Sequence, residues 1–409
     1  MCFMVFWSSR MKILIVNKFL HPNGGSETYI FEIGKQLIEM GHEVQFFGME
    51  HEKRIVGNHA ESYTTNMDFH TGGIGKILYP FKIIYSLEAK NKIDIVLNDF
   101  EPDVIHLNNF NFQLTPSIIY EIRKYKTHSH KKVRLFYTAH DYQLVCPNHM
   151  MRIPYSGENC ERCLTGQFSE CVKHKCIHNS RIKSLLGSIE GGLYSRLKTY
   201  QNFDCIICPS FFLEEKLRKI SVFKGKTITL HNFVDSSNNA GNIKKKYILY
   251  FGRFSDEKGI STLLKVCRRL PDIPFIFAGK GPLEEEINLV ENVRNVGFQK
   301  GLTLKKLISE ASFSIYPSEW YENCPFSVME SIVNGTPVVG ANIGGIPELI
   351  VNQEDGLLFE SGNAEDLYEK ILYLWNNENE LNKYTVNCRK KKFDSLEEYC
   401  SELLKIYDI

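Results

Sequence analysis

The chain alternates short, unbroken apolar runs with longer stretches whose apolar residues recur every three or four positions. Lys12 to Val16 is a run of the first kind. Gly24 and Gly25 follow it, then a helical pattern in which Ile30, Ile33, Leu37 and Met40 share one face. Gly41 closes that helix, and Val44 to Phe47 reads as a second strand. Strand, glycine turn, helix and strand make a βαβ unit, which requires parallel strands. The theme continues through strands predicted at Asp103 to Leu107, Val133 to Thr138 and Cys205 to Cys208. Residues 232–246 are polar and lack a periodic apolar face, the composition of a linker.

Beyond the linker the pattern restarts. Strands are predicted at Tyr247 to Phe251, Pro274 to Ala278, Phe313 to Tyr316 and Pro337 to Val339, with a helix at Ser261 to Leu270. The chain is therefore α/β, with two doubly wound domains facing a cleft. Their boundaries are expected at residues 11–235 and 245–409, the last helix being placed to pack back on the first domain. Ligands of such sheets sit beyond the carboxyl ends of the strands, so functional residues should gather in the loops that follow them.

Composition changes this picture little. Of 409 residues 43% are hydrophobic, enough for two or three ordinary cores. Lys plus Arg is 49 and Asp plus Glu is 48, a net charge of +1 that calls for no nucleic-acid partner. Basic runs at Arg123 to Arg134, Lys244 to Lys246 and Arg389 to Lys392 read as solvated faces. No apolar stretch reaches the ~18–20 residues that span a bilayer. Met1 to Arg10 is apolar but lacks a basic leader and a small-residue cleavage site, and Met11 is an alternative start. A cytoplasmic location is expected, so that the twelve cysteines are thiols or metal ligands.

Four segments after predicted strands carry chemistry. Glu319 to Glu330 (EWYENCPFSVME) leads to Pro325, well suited to open a helix that Gly335-Thr336-Pro337 closes. Free backbone N–H groups of Phe326, Ser327 and Val328, just after Pro325, would form an anion site at that helix start. Glu322 and Glu330 flank it, and a carboxylate can accept paired hydrogen bonds from vicinal hydroxyls. Gly252, Arg253 and Lys258 follow the first strand of the second half, where a planar guanidinium and an ammonium can share one space. Gly24 and Gly25 allow a ligand close to the backbone after the very first strand. His140 and Asp141 end another strand, as do His106, Asn108 and Asn109. No two aspartates are separated by a single residue, so there is no Asp-x-Asp metal clamp.

Glu322 and Glu330 stand in E-x7-E spacing, and Gly344-Gly345-Ile346-Pro347-Glu348 lies close behind. In these motifs the chain resembles the family-4 retaining glycosyltransferases, which have the two-Rossmann (GT-B) fold. The resemblance runs from Lys12 onward and is strongest over residues 247–360. It implies a nucleotide-diphosphate sugar donor, a UDP-sugar favoured over a GDP-sugar, and no cofactor for catalysis. It places Arg253 and Lys258 on the pyrophosphate, Gly24 and Gly25 at the donor phosphate or sugar, and His140 beside that sugar. Glu322 would orient the donor-sugar hydroxyls and Glu330 the ribose, with Gly252, Asn323, Pro325, Phe326 and Ser327 completing the donor site. His106, Asn109 and Asp141 are expected toward the acceptor. The rival readings are a nucleotide-sugar epimerase and a non-catalytic nucleotide-sugar-binding scaffold.

Cys160-x2-Cys163 and Cys171-x4-Cys176 lie in a cysteine-rich insertion in the first domain, about residues 146–180. Four thiolates at this spacing can close a structural zinc site, or remain free loop thiols. A similar segment occurs in bacterial glycosyltransferases of capsule and O-antigen assembly. That likeness implies a lipid-linked oligosaccharide acceptor at the inner face of the cell membrane. Ile74 to Ala89, with Ile77, Leu78 and Phe81 beside Lys76 and Lys82, reads first as a core-facing amphipathic helix and second as a stretch that could rest on an anionic membrane. Arg181 to Lys198 is another such stretch.

Overall fold

The structure, a computed structural model, describes residues 10–66, 83–235 and 243–408. The first half opens with β1 (Lys12–Val16), α1 (Gly25–Glu39), β2 (Glu43–Phe47), α2 (Leu87–Phe100), β3 (Val104–Leu107), α3 (Ser117–His128) and β4 (Arg134–Thr138). It continues with α4 (Ser169–Lys173), α5 (Arg181–Arg196), β5 (Cys205–Cys208), α6 (Phe211–Arg218) and β6 (Thr227–Thr229).

The second half opens with β7 (Ile248–Phe251), α7 (Ile260–Arg269), β8 (Phe275–Ala278), α8 (Glu284–Asn288), β9 (Val293–Asn295) and α9 (Gly301–Glu310). Then come β10 (Phe313–Tyr316), α10 (Phe326–Val333), β11 (Val338–Ala341), α11 (Ile346–Leu349) and β12 (Gly356–Phe359). Three helices end the chain: α12 (Ala364–Asn376), α13 (Glu378–Lys390) and α14 (Leu396–Tyr407).

Each half builds a parallel six-stranded sheet, in the orders β2-β1-β3-β4-β5-β6 and β12-β11-β10-β7-β8-β9. Read from β9, the second order is that of the dinucleotide-binding fold, with its reversal between β7 and β10. The first reverses between β1 and β3, the flavodoxin order lengthened by one strand. Residues of β3, β5, β7, β10 and β11 are buried on both faces, which is why they read in sequence as nearly continuous apolar runs, broken only by His106 in β3 and Ser314 in β10. The three strands that the apolar pattern did not announce, β6, β9 and β12, all lie at sheet edges.

Helix α14 leaves the second half and returns to the first. A capping box between Ser395 and Glu398 fixes its start. It then buries Tyr399, Cys400, Leu403 and Leu404 in one core with Ile13, Ile15, Ile30 and Ile33. The Tyr29 and Tyr399 hydroxyls meet at 2.8 Å. Among the described residues no helix is long and apolar enough to cross a membrane. Ile74 to Lys82, most of the first membrane-facing stretch expected above, lies outside the described residues, as do Met1 to Ser9 and residues 236–242 of the linker.

Candidate active site

The two points of strand-order reversal face each other across a cavity of about 710 Å³. From the first sheet, the loop after β1 contributes Gly25 and Ser26, the loop after β3 Asn109, and the loop after β4 His140 and Asp141. From the second, the loop after β7 contributes Gly252, Arg253 and Lys258, and the loop after β10 contributes Trp320, Glu322 and Asn323. Pro325, Phe326, Ser327 and Glu330 line the same space from the start of α10. Gly24 sits just outside the wall as the residue preceding α1.

Two local devices hold the charged wall. Gly259 has φ +71°, and a Cβ there would come within 1.8 Å of the Pro317 carbonyl oxygen. Only glycine therefore lets the Lys258 turn lie against the loop after β10. Gly344 and Gly345 do the same for Glu322. Their missing Cβ atoms would lie 2.3 Å from the Glu322 carbonyl oxygen and 1.8 Å from that of Asn323. The Gly345 amide donates to the Glu322 carbonyl at 2.7 Å. The Gly-Gly segment is thus the seat of the glutamate.

One oxygen of the buried Glu322 carboxylate accepts from Lys258 Nζ at 2.5 Å, Trp320 Nε1 at 2.6 Å and Ser318 Oγ at 2.9 Å. Lys258 Nζ also lies 3.3 Å from the Tyr316 hydroxyl. The Arg253 guanidinium is 60% exposed and pairs with Glu257 at 2.7 Å. Burial lifts the Glu330 carboxyl to about 7, with Lys305 opposing the rise. The α10 start presents the Phe326 and Ser327 amides, which have no earlier helical turn to bond.

The opposite wall carries no Lys or Arg and a single carboxylate, Asp141, among its described lining residues. His140 Nε2 lies 2.9 Å from Asn108 Oδ1, and burial lowers its pKa to about 3, so its ring is neutral. Asn109 donates to Ser26 Oγ at 2.9 Å and leaves its buried Oδ1 unpartnered. Asp141 accepts from the Gln143 amide at 2.8 Å. His106 corrects an expectation. It is fully buried and off the wall, between the Tyr407 hydroxyl at 2.6 Å and Thr138 Oγ1 at 2.7 Å. It ties α14 to the first sheet rather than facing an acceptor.

Residues 146–180 fold against the second half, which sequence reasoning did not foresee. Arg152 donates to the Glu319 carbonyl. Asn159 Nδ2 reaches the same oxygen at 3.0 Å, and Glu161 accepts from the Tyr321 hydroxyl at 3.2 Å. This segment so braces the loop that carries Glu322. Its thiols Cys163, Cys171 and Cys176 are buried with Ile153, with Cys160 packed beside them. Burial pushes the Cys163 thiol up to about 12. Among the described residues no set of three or more His, Cys, Asp or Glu side chains is arranged to hold a metal ion. Arg162 donates to Cys160 Sγ at 3.5 Å, and a hydrogen bond with Cys171 holds the Cys176 thiol pKa below its ordinary value.

Other wall residues were also unforeseen. Lys280 follows β8, and Phe298 and Gln299 follow β9. The segment Gly279-Lys280-Gly281 after a strand was the available signal.

Comparison with known proteins completes the picture. Residues 23–238 match the model of Glycosyltransferase Family 4, and residues 234–391 match that of Glycosyl transferases group 1. An uncharacterized glycosyltransferase of Methanocaldococcus jannaschii is 28% identical over 241 residues, covering 57% of this chain and 67% of that protein. The sucrose-phosphate synthase of Thermosynechococcus elongatus superposes with a TM-score of 0.66 at 18% identity, over 98% of each chain. Anabaena HepE, solved with UDP and glucose, gives a TM-score of 0.65 at 17% identity, over 98% of this chain and 100% of its own. Two facing parallel sheets are the architecture of these glycosyltransferases, and the first family model alone takes in more than half of the sequence. The chain belongs to Glycosyltransferase Family 4.

Proposed function

We propose that the protein transfers a hexose, with retention of configuration, from a UDP-sugar to a hydroxyl of a lipid-linked oligosaccharide in surface-polysaccharide assembly. The observation that carries this reading is the single wall on which Arg253, Lys258 and the α10 amides stand between Glu322 and Glu330. Fixed cations and amides suit a diphosphate whose negative charge grows as its bond to the sugar breaks. The presence of UDP and glucose in the HepE structure supports the same class of donor.

In this reading the anomeric carbon loses its bond to the β-phosphate oxygen. The acceptor oxygen bonds to it on the same face through an oxocarbenium-like state. The departing phosphate oxygen takes the acceptor's proton, so no side chain need act as base and no divalent ion is required. Arg253 and Lys258 hold the leaving group, and Arg253 leaves Glu257 to do so. Glu330 accepts from the ribose diol, and Phe298 and Gln299 offer the base an apolar face and an amide. Glu322, fixed through one oxygen, turns the other toward sugar hydroxyls. Neutral His140 and the unpartnered Asn109 Oδ1 face the sugar and acceptor.

Calorimetric titration with UDP and a panel of UDP- and GDP-sugars, followed by turnover with Arg253→Ala, tests this. UDP-sugar binding in the wild type and loss of turnover in the variant are expected. Near-normal turnover in Arg253→Ala removes the leaving-group role. Release of an epimerised sugar without an acceptor, or binding without any turnover, replaces the reading by one of its two rivals.

A further inference from the structure

Helix α5 seats one face against residues 146–180 and the first sheet. Ser184, Gly187, Glu190 and Tyr194 are buried. Gly187 approaches so closely that a Cβ would lie 2.5 Å from Ile177. The Tyr194 hydroxyl donates to the Ile84 carbonyl at 2.5 Å, and Ser188 Oγ to the Phe168 carbonyl at 2.6 Å. The helix is thereby fixed in rotation, and its other face is set outward.

That outward face is apolar. Ile182, Leu185, Ile189, Leu193 and Leu197 are between 38% and 74% exposed. At about 100° per residue they fall within one stripe roughly 120° wide. Exposed apolar residues scattered singly are ordinary, whereas five in register along one helix are a surface with a use. Arg181 and Lys183 lie in the first turn, Arg196 in the last and Lys198 just beyond it, all exposed. The only acidic residue from 181 to 198 is the buried Glu190.

The geometry points to an anionic lipid surface as the occupant of this stripe, with α5 lying in the headgroup plane. An apolar stripe bracketed at both ends by cations, with no exposed acid, is the pattern of an interfacial helix. A second copy of the chain fits less well. A two-fold pairing of antiparallel α5 helices would set the first-turn cations of one copy beside the last-turn cations of the other. The inference rests on the proposed function only in that a lipid-linked acceptor lies in the same interface. Helix α5 packs on Phe168 and Ile177 of residues 146–180, and that segment in turn bonds the Glu319 carbonyl through Arg152 and Asn159, one residue before Trp320 on the cavity wall.

Flotation with vesicles of phosphatidylcholine plus phosphatidylglycerol tests it, with pure phosphatidylcholine vesicles alongside. The wild-type protein is expected to float with the anionic vesicles and to be released by high salt. A variant carrying Ile189→Ser and Leu193→Ser should bind at least tenfold more weakly, with unchanged circular dichroism and UDP binding. Arg181→Gln with Lys198→Gln should weaken flotation on anionic vesicles alone. Absence of flotation, equal flotation of the serine variant, or a dimer that this variant abolishes would each overturn the proposal. A chain that floats yet ignores UDP defeats the donor reading and leaves this one standing; one that binds UDP and never floats does the reverse.

Discussion

Where the first sheet reaches the cavity it offers Gly25, Asn109 and a neutral His140; where the second reaches it, it offers Arg253, Lys258, Glu322 and Glu330. The two sheets share a construction and differ in what their loops carry. Both use the gap where strand order reverses, because only there do loops diverge and leave room for a ligand. The second half has filled its gap with formal charge, pairing Lys258 with Glu322 and Arg253 with Glu257. The first has kept its gap mostly polar, with Asp141 as the one carboxylate and no Lys or Arg among its described lining residues. In the proposed reaction a charged diphosphate would sit on the one wall and a sugar with its hydroxyl acceptor on the other. The halves would then divide the reaction by where the cations stand.

The sharpest way to break this division is to remove Lys258, the half-buried cation. Lys258→Ala should lower kcat about a thousandfold, at the upper end of what a lost charge-stabilising donor costs. Partial recovery in Lys258→Arg separates loss of charge from loss of fold, since Ala leaves Glu322 buried without its partner. The exposed Arg253 should cost less, about a hundredfold on replacement by Ala. On the wall without cations, His140→Ala should lower kcat only about tenfold, in the range of a lost positioning contact, with the UDP dissociation constant unchanged. A kcat loss for His140→Ala matching that of Lys258→Ala would end this division.

Glu330 sharpens the comparison through pH. Burial raises its carboxyl from 4.5 to about 7, so it must lose a proton to accept two hydroxyl hydrogens from a ribose. Affinity for a UDP-sugar should fall as pH is lowered from about 8 to about 6, by up to about tenfold per unit below the pKa. In Glu330→Gln the dependence should be flat. The same shift makes the folded chain bind this proton more tightly than the unfolded one. Its contribution to stability is therefore present at low pH and lost as pH rises from 4.5 through about 7. The smallest effect belongs to Tyr407→Phe, which removes the hydroxyl on His106. It should lower unfolding free energy by about 1 kcal/mol without touching turnover.

Much of this was legible in the residues themselves. β1, β5 and β10 announced their extents because their residues are apolar and buried in the sheet. β6 (TIT) and β9 (VRN) did not, because an edge strand is short and keeps polar side chains toward water. β12 opens with Gly356, which masks a four-residue strand. Glu322, Lys258 and Gly344 declared themselves by chemistry and spacing. His106 misled because a histidine near the end of a strand looks the same in sequence whether water or α14 covers it. The grip of Arg152 and Asn159 on Glu319 joins residues some 160 positions apart, and no local pattern encodes such a meeting.

The return of α14 to the first half means that the chain passes between the halves twice. The two passages run side by side: the Val234 amide donates to the Asp394 carbonyl at 3.0 Å. Two connections joined at one spot restrain the halves there more than a single connection would. Cutting the chain at residue 395 would leave one connection and bare the apolar face that α14 covers.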